Sequence, residues 1–399
     1  MKKILIVSHT MELGGAERAL LGLLNNVDYK NYSVDLFLER HFGELLESIP
    51  KEVNLLKENR AYACMGVPAA QVIKNGQLGV AAGRMTGKKK AEKFIAEKGY
   101  KSGADVFINY SQKYTVKYMP MISDEEYDLV ISFLTPHYFA LKKTKGKKKI
   151  AWIHTDYKAI ETDVNSELEM WSGYDKIVSI SDEVTRNFTE VFPSLKDKII
   201  LIGNMHPAKF IKAESEKFKP EDEMPSDESI KLLSIGRYCV AKNFDNVPFI
   251  CRELVEKHGL NVKWYIVGYG TDEVLIKDSI EKSGMQDRVI LLGKKDNPYP
   301  YIRQCDFYIQ PSRFEGNAVT VNEALILEKK VILTDYSTAH GQVEDGTDGV
   351  IVPLDNSLCA EGIRDYINDT KKQEKIRKNV SDRDYSKAAE IEKIYSLMG

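Results

Sequence analysis

Short apolar runs alternate with amphipathic segments along most of this chain. In the first half, the runs of Ile, Leu, Val and Phe that indicate buried strands are residues 2–8, 34–38, 128–133, 150–154, 176–180 and 198–202. In the second half, the corresponding runs are residues 231–235, 262–267, 289–292, 307–309, 331–333 and 350–352. Segments with apolar residues at helical spacing lie between them, and the first is Ala16 to Asn25. Strands that alternate with helices in this way predict open α/β sheets.

The alternation occurs in two series, which predict two doubly wound, Rossmann-like domains facing across a cleft. We place the N-terminal domain at residues 1–207 and the C-terminal domain at 208–381. We expect a terminal helix within 382–399 that packs back on the first domain. The polar segment 212–229 is interpreted as a linker, and residues 60–125 interrupt the rhythm without a clear assignment. Ligands of such sheets bind at the carboxyl ends of strands, so the residues that follow each strand are the candidates for chemistry.

The stretch from Pro311 to Ala324 follows a predicted strand and leads into a helical pattern. Gly316 allows a tight turn and the close approach of a ligand. Unpaired amides at the start of the helix favour a phosphate, and these amides belong to Asn317, Ala318 and Val319. The carboxylates of Glu315 and Glu323 would repel a phosphate, so we interpret them as acceptors for hydroxyl groups. A ligand with phosphates in the middle and hydroxyl groups at both ends is a nucleotide diphosphate sugar. The alternative is that both glutamates are ordinary solvated carboxylates.

Two cations follow the first strand of the second series. Gly236 ends that strand, Arg237 comes next, and Lys242 lies five residues further on. A planar guanidinium and a compact ammonium together suit a diphosphate, although two solvated cations remain the alternative.

The first strand of the chain is followed by Gly14 and Gly15, which open a predicted helix where an anion is favoured. The Gly-x-Gly-x-x-Gly fingerprint of dinucleotide binding is absent. Glu39 nevertheless ends the second strand, where that fingerprint expects its ribose-binding acid. A nicotinamide-dependent dehydrogenase therefore remains an alternative, as does a glycine turn without a ligand.

These motifs resemble those of the retaining glycosyltransferases of GT-B fold, family 4, the group 1 glycosyl transferases. Seven residues separate Glu315 from Glu323, as in the Glu-x7-Glu signature of that family. Gly236, Arg237 and Lys242 match its Gly-Arg-x4-Lys element, whose cations hold the donor diphosphate. We expect Glu315 to orient hydroxyls of the donor sugar and Glu323 to bind the nucleotide ribose.

The resemblance covers nearly the whole chain and implies roles at further strand ends. The histidine that matches His154 touches the donor sugar near its reacting carbon, whereas a lone histidine is otherwise more often structural. The resemblance also places other residues at the donor site, namely Gly14, Gly15, Gly268 and Lys294. Asn204 departs from the Asn-Pro pair of the family because Met205 follows it, so its role is not carried over.

Composition adds constraints on partners and location. Residues 1–150 contain 24 Lys+Arg against 16 Asp+Glu, and the remainder contains 33 against 43. Lys88–Lys90, expected on a helix, and Lys142–Lys149, expected as a surface loop, suggest an anionic membrane surface; solvated charge is the alternative. No interleaved aromatic residues accompany the lysines, so nucleic acid is not expected. Five scattered cysteines without a Cys-x-x-Cys pair indicate a reducing compartment.

The sequence thus predicts a cytoplasmic enzyme, peripheral on the inner face of the cell membrane. Its predicted reaction moves a sugar from a UDP- or GDP-sugar, held by the second domain, to an acceptor held by the first. The acceptor belongs to cell-surface or capsular polysaccharide, teichoic acid or glycolipid synthesis. We expect no transmembrane helix, no cofactor, and no metal because no Asp-x-Asp-type pair ends a strand. A GT-B sugar-nucleotide epimerase, a phosphorylase and a non-catalytic binding protein remain alternatives.

Overall fold

The computed structural model describes residues 1–12, 14–134 and 137–399. The chain forms two compact units, the first consisting of Met1–Met205 with Lys387–Gly399 and the second of His206–Ser386. The boundary precedes the polar segment 212–229, so the interpretation of that segment as a linker was wrong. The segment is polar because it covers the surface of the second unit, where Met224 is its fully buried apolar anchor.

The first unit is built on a parallel sheet of seven strands in the order β3-β2-β1-β4-β5-β6-β7. The strands are β1 Lys2–Ser8, β2 Tyr32–Leu38, β3 Asn54–Leu55, β4 Glu126–Ser132, β5 Lys145–Ile153, β6 Lys176–Ser179 and β7 Ile199–Leu201. Every strand predicted for this half is confirmed, and only the two-residue β3 lacks a recognisable pattern. The chain starts with β1, adds β2 and β3 on one side of it, and then reverses the strand order by adding β4 to β7 on the other side. In open α/β sheets such a reversal opens a crevice beyond the carboxyl ends of the two strands.

Helices cover both faces of this sheet and bury their apolar residues against it. They are α1 Gly15–Asn25, α2 Arg60–Ala63, α3 Ala69–Lys74, α4 Leu78–Lys98, α5 Ala104–Thr115, α6 His137–Lys142, α7 Val164–Ser172 and α8 Asp182–Val191. Residues 60–125, which the pattern left unassigned, form α2 to α5. Helices α4 and α5 pair closely because glycines face the neighbouring helix: a Cβ on Gly87 would stand 2.6 Å from the carbonyl oxygen of Tyr110, and one on Gly83 would stand 2.7 Å from Cα of Thr115.

The second unit has a parallel sheet of six strands in the order β10-β9-β8-β11-β12-β13. Its strands are β8 Ile230–Ile235, β9 Val262–Val267, β10 Val289–Gly293, β11 Phe307–Gln310, β12 Lys330–Thr334 and β13 Val350–Val352. All six were predicted. The helices are α9 Ala208–Ser215, α10 Val247–Arg252, α11 Glu273–Ser283, α12 Tyr299–Gln304, α13 Val319–Ile326, α14 Ala339–Gln342, α15 Asn356–Asn368 and α16 Thr370–Ser381. The reversal in this sheet falls between β8 and β11.

The last thirteen residues return to the first unit. They contain a 3₁₀ turn followed by α17, Ile391–Ser396, which is shorter than the predicted terminal helix. Ile391 and Ile394 are buried in the core of the first unit, and the ring of Tyr395 stacks on that of Tyr32 with 3.9 Å between centroids. Within the described ranges, no helix is long and apolar enough to cross a membrane.

The lysine run Lys142–Lys149 is not the surface loop that we predicted. It comprises the end of α6 and the first half of β5, where the backbone pairs with β4. Lys147 Nζ donates to Asp128 Oδ1 at 2.8 Å. Lys149 Nζ donates to two backbone carbonyls at 2.7 Å each, and burial lowers the pKa of this lysine. The pattern failed here because ladder hydrogen bonds, and not apolar burial, keep this part of the strand extended.

Candidate functional site

Most of the predicted site residues of the second unit follow the two strands at the reversal of its sheet, whereas Gly268 follows β9 and Lys294 follows β10. Strands β8 and β11 are parallel neighbours, with Leu232 opposite Phe307 and Leu233 opposite Tyr308. Their carboxyl ends therefore lie at one edge of the sheet. The segments 236–242 and 311–318 both start from this edge, which brings together residues that are more than 70 positions apart in the sequence.

A lysine–glutamate ion pair joins these two segments. Lys242 Nζ lies 2.5 Å from Glu315 Oε1, and the side chains are only 18% and 11% exposed. The same oxygen accepts hydrogen bonds from Ser312 Oγ at 2.6 Å and from Gln310 Nε2 at 3.1 Å. The parts of the chain that the structure describes provide no hydrogen bond to Glu315 Oε2. One oxygen therefore fixes the carboxylate, and the other remains available to a ligand.

A second ion pair clamps the same two segments. The guanidinium of Arg313 contacts both carboxylate oxygens of Asp245, at 2.9 and 2.7 Å. It also donates to the carbonyl of Val240 at 2.7 Å, and the Arg313 amide donates to the carbonyl of Ala241 at 2.8 Å. The bond to Asp245 raises the pKa of Arg313. This clamp holds Lys242 and Glu315 in register. The sequence analysis missed it because Asp245 belongs to no motif and lies 68 residues from its partner.

Arg237 differs from Lys242 in having no partner. Its side chain is exposed, and the described residues supply neither an ion pair nor a hydrogen bond to its guanidinium. Binding an anion costs such a guanidinium little free energy, because no hydrogen bond or ion pair within the described protein has to be broken first. The site thus combines one unengaged cation with one that is already paired.

The glycines beside Arg237 pack two loops against each other. A Cβ on Gly268 would stand 1.9 Å from the carbonyl oxygen of Gly236, and one on Gly270 would stand 2.3 Å from that of Tyr238. A Cβ on Gly236 would lie 3.0 Å from Lys242 Cε. Close backbone approach therefore accounts for Gly268 and Gly270 without a ligand, whereas a Cβ on Gly236 would meet only the Lys242 side chain. They shape the loop that presents Arg237.

Helix α13 begins at Val319, so Gly316, Asn317 and Ala318 precede it as predicted. Gln342 Nε2 holds this turn by donating to Asn317 Oδ1 at 2.5 Å and to the carbonyl of Ala318 at 3.2 Å. A Cβ built on Gly316 would meet no atom within 4 Å, so this part of the turn is open to a ligand.

Glu323 is buried and lies inside α13, with an exposure of 1%. Its Oε1 accepts a hydrogen bond from the hydroxyl of Tyr299 at 3.0 Å. The alternative of a solvated first-turn glutamate is therefore wrong for this residue, whereas its contact with a ribose stays a prediction. Lys294 follows β10 and lies over the ring of Tyr269, 5.4 Å from its centroid.

In the first unit, His154 follows β5 and packs against the ring of Phe133 at 4.7 Å. Burial lowers its pKa to about 4, so the imidazole is neutral at pH 7. Its Nε2 atom is buried without a hydrogen-bond partner among the described residues. Gly14 is the N-cap of α1, which begins at Gly15, and a Cβ on Gly14 would collide with the side chain of Glu17.

Glu39 is buried beneath a histidine that the sequence analysis missed. It is 3% exposed, and its Oε2 lies 2.5 Å from His9 Nδ1. This hydrogen bond raises the pKa of His9. The carboxylate of Glu39 is thus engaged by His9, the histidine that follows β1. This contact weakens the interpretation of Glu39 as the ribose-binding acid of a dehydrogenase. In the described part of the chain, no three His, Cys, Asp or Glu residues are grouped so as to hold a metal ion.

Comparisons with known proteins agree with this geometry. Residues 215–383, which lie within the second unit, match the sequence model of the family described as glycosyl transferases group 1. The N-acetylgalactosamine-N,N'-diacetylbacillosaminyl-diphospho-undecaprenol 4-alpha-N-acetylgalactosaminyltransferase of Campylobacter jejuni is 29% identical over 41% of this chain and 43% of its own length. The poly(glycerol-phosphate) alpha-glucosyltransferase of Bacillus subtilis is 30% identical over 43% of this chain and 28% of its own length.

Solved structures resemble this protein over the whole chain and not only over the second unit. Anabaena HepE, solved in complex with UDP and glucose, superposes with a TM-score of 0.66 over 99% of each chain at 15% identity. The fold is therefore that of GT-B glycosyltransferases. The match to the model of the group 1 glycosyl transferases covers most of the second unit. The chain spans less than half the length of the two curated relatives described above.

Proposed function

We propose that this protein is a glycosyltransferase that moves a sugar from a nucleotide diphosphate sugar to an acceptor. The observation that carries the proposal is the free Arg237 beside the Lys242–Glu315 pair, at the carboxyl ends of β8 and β11 and inside the segment that matches the family. A diphosphate has a cation to bind there, and a sugar hydroxyl has Glu315 Oε2. The complex of HepE with UDP and glucose favours a UDP-sugar as donor.

The bond between the anomeric carbon of the sugar and the oxygen of the β-phosphate breaks as the acceptor oxygen bonds to that carbon, and negative charge builds on the β-phosphate of the departing nucleoside diphosphate. Arg237, Lys242 and the amides around Asn317 stabilise this charge, which is the task that a metal ion performs in other enzymes. To bind the phosphate, the ammonium group of Lys242 moves away from Glu315. The hydrogen bonds from Ser312 and Gln310 keep Glu315 in place while that contact changes. We therefore propose catalysis without a metal ion.

The proposed stereochemistry is retention. The names of both curated relatives specify an α linkage, which retention produces from an α-configured donor. The resemblance implies attack on the same face of the sugar, with the leaving phosphate taking the acceptor proton. His154 is neutral at pH 7 because burial lowers its pKa, so it suits a hydrogen bond to the donor sugar better than a charge contact.

The proposed acceptor carries phosphate. Both relatives are named for phosphate-bearing acceptors, a diphospho-undecaprenol saccharide and poly(glycerol phosphate). The first unit has an open pocket of about 640 Å³, which we call the basic pocket because its lining has three cations, Arg40, Arg60 and Lys74, against one carboxylate, Glu58. Its three cations have no ion-pair partner in the described ranges. This pocket, rather than overall charge, supports an anionic acceptor, because the whole unit holds 31 Lys+Arg against 28 Asp+Glu.

We place the reaction at the cytoplasmic face of a membrane that carries this acceptor. The five cysteines are free, as in proteins of a reducing compartment. The lysines predicted to face the membrane are less available than expected. Lys88 and Lys93 on α4 lie 3.8 and 3.6 Å from glutamates one turn away, whereas Lys147 and Lys149 are engaged within the sheet.

Ligand binding and product analysis test the proposal. In a thermal-shift screen of UDP, GDP, ADP, their sugars, NAD and inorganic phosphate, we expect one nucleoside diphosphate and its sugars to stabilise the protein. A ligand at a hundred times its Kd stabilises by about 2.7 kcal/mol. Stabilisation by NAD alone would support the dehydrogenase and contradict the proposal. Release of epimerised sugar, or a strict need for free phosphate, would identify the epimerase or the phosphorylase.

A further inference from the structure

A cavity in the first unit lies between α5 and the residues around His154. It provides about 90 Å³ of space for water, several times the ~15 Å³ that one water molecule needs by this measure. One wall comes from α5, through Asn109 and Gln112. The opposite wall comes from the end of β5 and from α7, through Trp152, His154 and Trp171.

Several polar groups on these walls lack protein partners. The atoms Trp152 Nε1 and His154 Nε2 are buried and have no hydrogen bond within the described residues. Gln112 is 6% exposed, and no described residue bonds its side-chain amide. Within the described residues, the side chain of Asn109 makes one hydrogen bond, in which its Oδ1 accepts from Ser166 Oγ at 3.3 Å. Buried polar atoms without partners are costly. A hydroxyl of an acceptor residue entering the cavity would satisfy Trp152 Nε1, whereas His154 Nε2 stays available to the donor sugar.

The other lining groups favour a neutral sugar. Trp152 and Trp171 contribute aromatic atoms to the lining, and an aromatic lining suits the apolar C–H surface of a pyranose ring. No lysine or arginine is among the described lining residues. The carboxylate of Glu167 is already taken up by hydrogen bonds from Tyr157, Thr162 and Trp171. The chemistry therefore differs from that of the basic pocket, which suits phosphate.

The α5 wall is held rigidly. The carboxylate of Glu161 accepts hydrogen bonds from three successive amides between α4 and α5, at 2.8, 2.8 and 2.9 Å. Tyr110 donates to Asp163 Oδ2 at 2.6 Å, and Tyr100 donates to the carbonyl of Thr162 at 3.0 Å. These bonds fix the helical hairpin to the loop that follows β5. A site built on such fixed elements is preorganised for its ligand.

We propose that this cavity binds the neutral hexopyranose residue at the accepting end of the acceptor, and that Asn109 and Gln112 select that residue. The inference rests on the proposed function, because it names the acceptor group of the same reaction. It assigns a specificity role to α5, within the segment 60–125 whose pattern predicted no function.

Tryptophan fluorescence of the full chain reports on this cavity. The protein has three tryptophans; Trp152 and Trp171 line the cavity, whereas Trp264 is fully buried in the second unit. The probes are free glucose, galactose, N-acetylglucosamine and N-acetylgalactosamine, each titrated to about 100 mM without nucleotide. We expect a saturable change with at least one of them.

Two variants locate the binding. Gln112→Ala and Asn109→Ala should each weaken the sugar response at least tenfold, and Gln71→Ala, the same truncation on an exposed helical position outside the cavity, should not change it. UDP affinity, measured by calorimetry, should be unaltered in all three, which also shows that they are folded. No saturable response in the wild type, or an equal response in Gln112→Ala, would overturn the inference. A response that requires the sugar to be attached to UDP would also overturn it, by assigning the cavity to the donor. If the wild type does not bind UDP, the proposed donor is refuted, and the response to free sugar stands as a separate result.

Discussion

Replacing Arg237 with alanine separates ligand binding from folding stability. The side chain is exposed, and its guanidinium makes no hydrogen bond or ion pair with a described residue, so its loss should change the free energy of unfolding by no more than about 0.5 kcal/mol. Lys242 does not allow this separation, because its loss leaves the carboxylate of Glu315 without its ion pair. Arg237→Ala is therefore the sharper probe of diphosphate binding.

The expected loss of affinity follows from the contact that Arg237 would make. Hydrogen bonds to charged groups contribute about 1.5–3 kcal/mol, and a value near 1.8 kcal/mol corresponds to about a twentyfold change in Kd. At a UDP concentration of a hundred times the wild-type Kd, ligand stabilisation should fall from about 2.7 to about 1.1 kcal/mol. For a unit of about 200 residues, this difference lowers the ligand-induced rise in Tm by about 3–6 °C.

The assay compares UDP with uridine on three proteins. These are the wild type, Arg237→Ala and Arg377→Ala, which removes an exposed guanidinium from α16 on the same unit. Calorimetry should show the twentyfold loss for UDP with Arg237→Ala only, and no loss for uridine. Equal losses for both ligands would refute a diphosphate contact. A loss of similar size in Arg377→Ala would show that general charge, and not the position of Arg237, determines binding.

Four further outcomes are expected. Lys242→Met should lower the free energy of unfolding by about 2–4 kcal/mol, because it leaves Glu315 buried without its cation; addition of Glu315→Gln should recover part of this loss in urea unfolding, and a purely additive double variant would contradict the coupling. Transfer should persist in excess EDTA, and activity restored only by magnesium or manganese would argue for a metal. Burial lowers the pKa of His154 to about 4 and that of His137 to about 3, so the unfolded chain takes up more protons below pH 6.5 and stability should fall as the pH drops from 6.5 to 4; His154→Gln should flatten this dependence, and an unchanged slope would contradict it. Vesicles with anionic lipid should bind the protein at low salt and release it at high salt; neutralising both arginines of the basic pocket should reduce this binding, whereas binding to neutral vesicles alone would count against it.

The sequence determined the repeating units of the fold and most of the chemistry at one edge. Parallel strands are buried on both faces, so they appear as continuous apolar runs such as Ile4 to Val7, and these runs predicted both sheets. Glycines and charged residues that directly follow such runs must lie at the carboxyl edge. For this reason the order of residues along the chain was sufficient to predict that Arg237, Lys242 and Glu315 lie at the same edge of the second sheet.

The tertiary structure alone decided how those residues are engaged. Lys242 meets Glu315 only because β8 and β11 are adjacent in register, and this pairing also leaves Arg237 as the unengaged cation. Glu323 is buried against Tyr299, a contact between separate helices that spacing within α13 cannot reveal. The α4–α5 hairpin has glycines where the helices touch, which weakened its amphipathic pattern, so the wall that it gives to the cavity beside His154 was not predictable. The partner, burial and ionisation of each side chain depend on contacts between segments that are distant in the sequence. The hydrophobic pattern of the sequence reports only on residues that are close together in the chain.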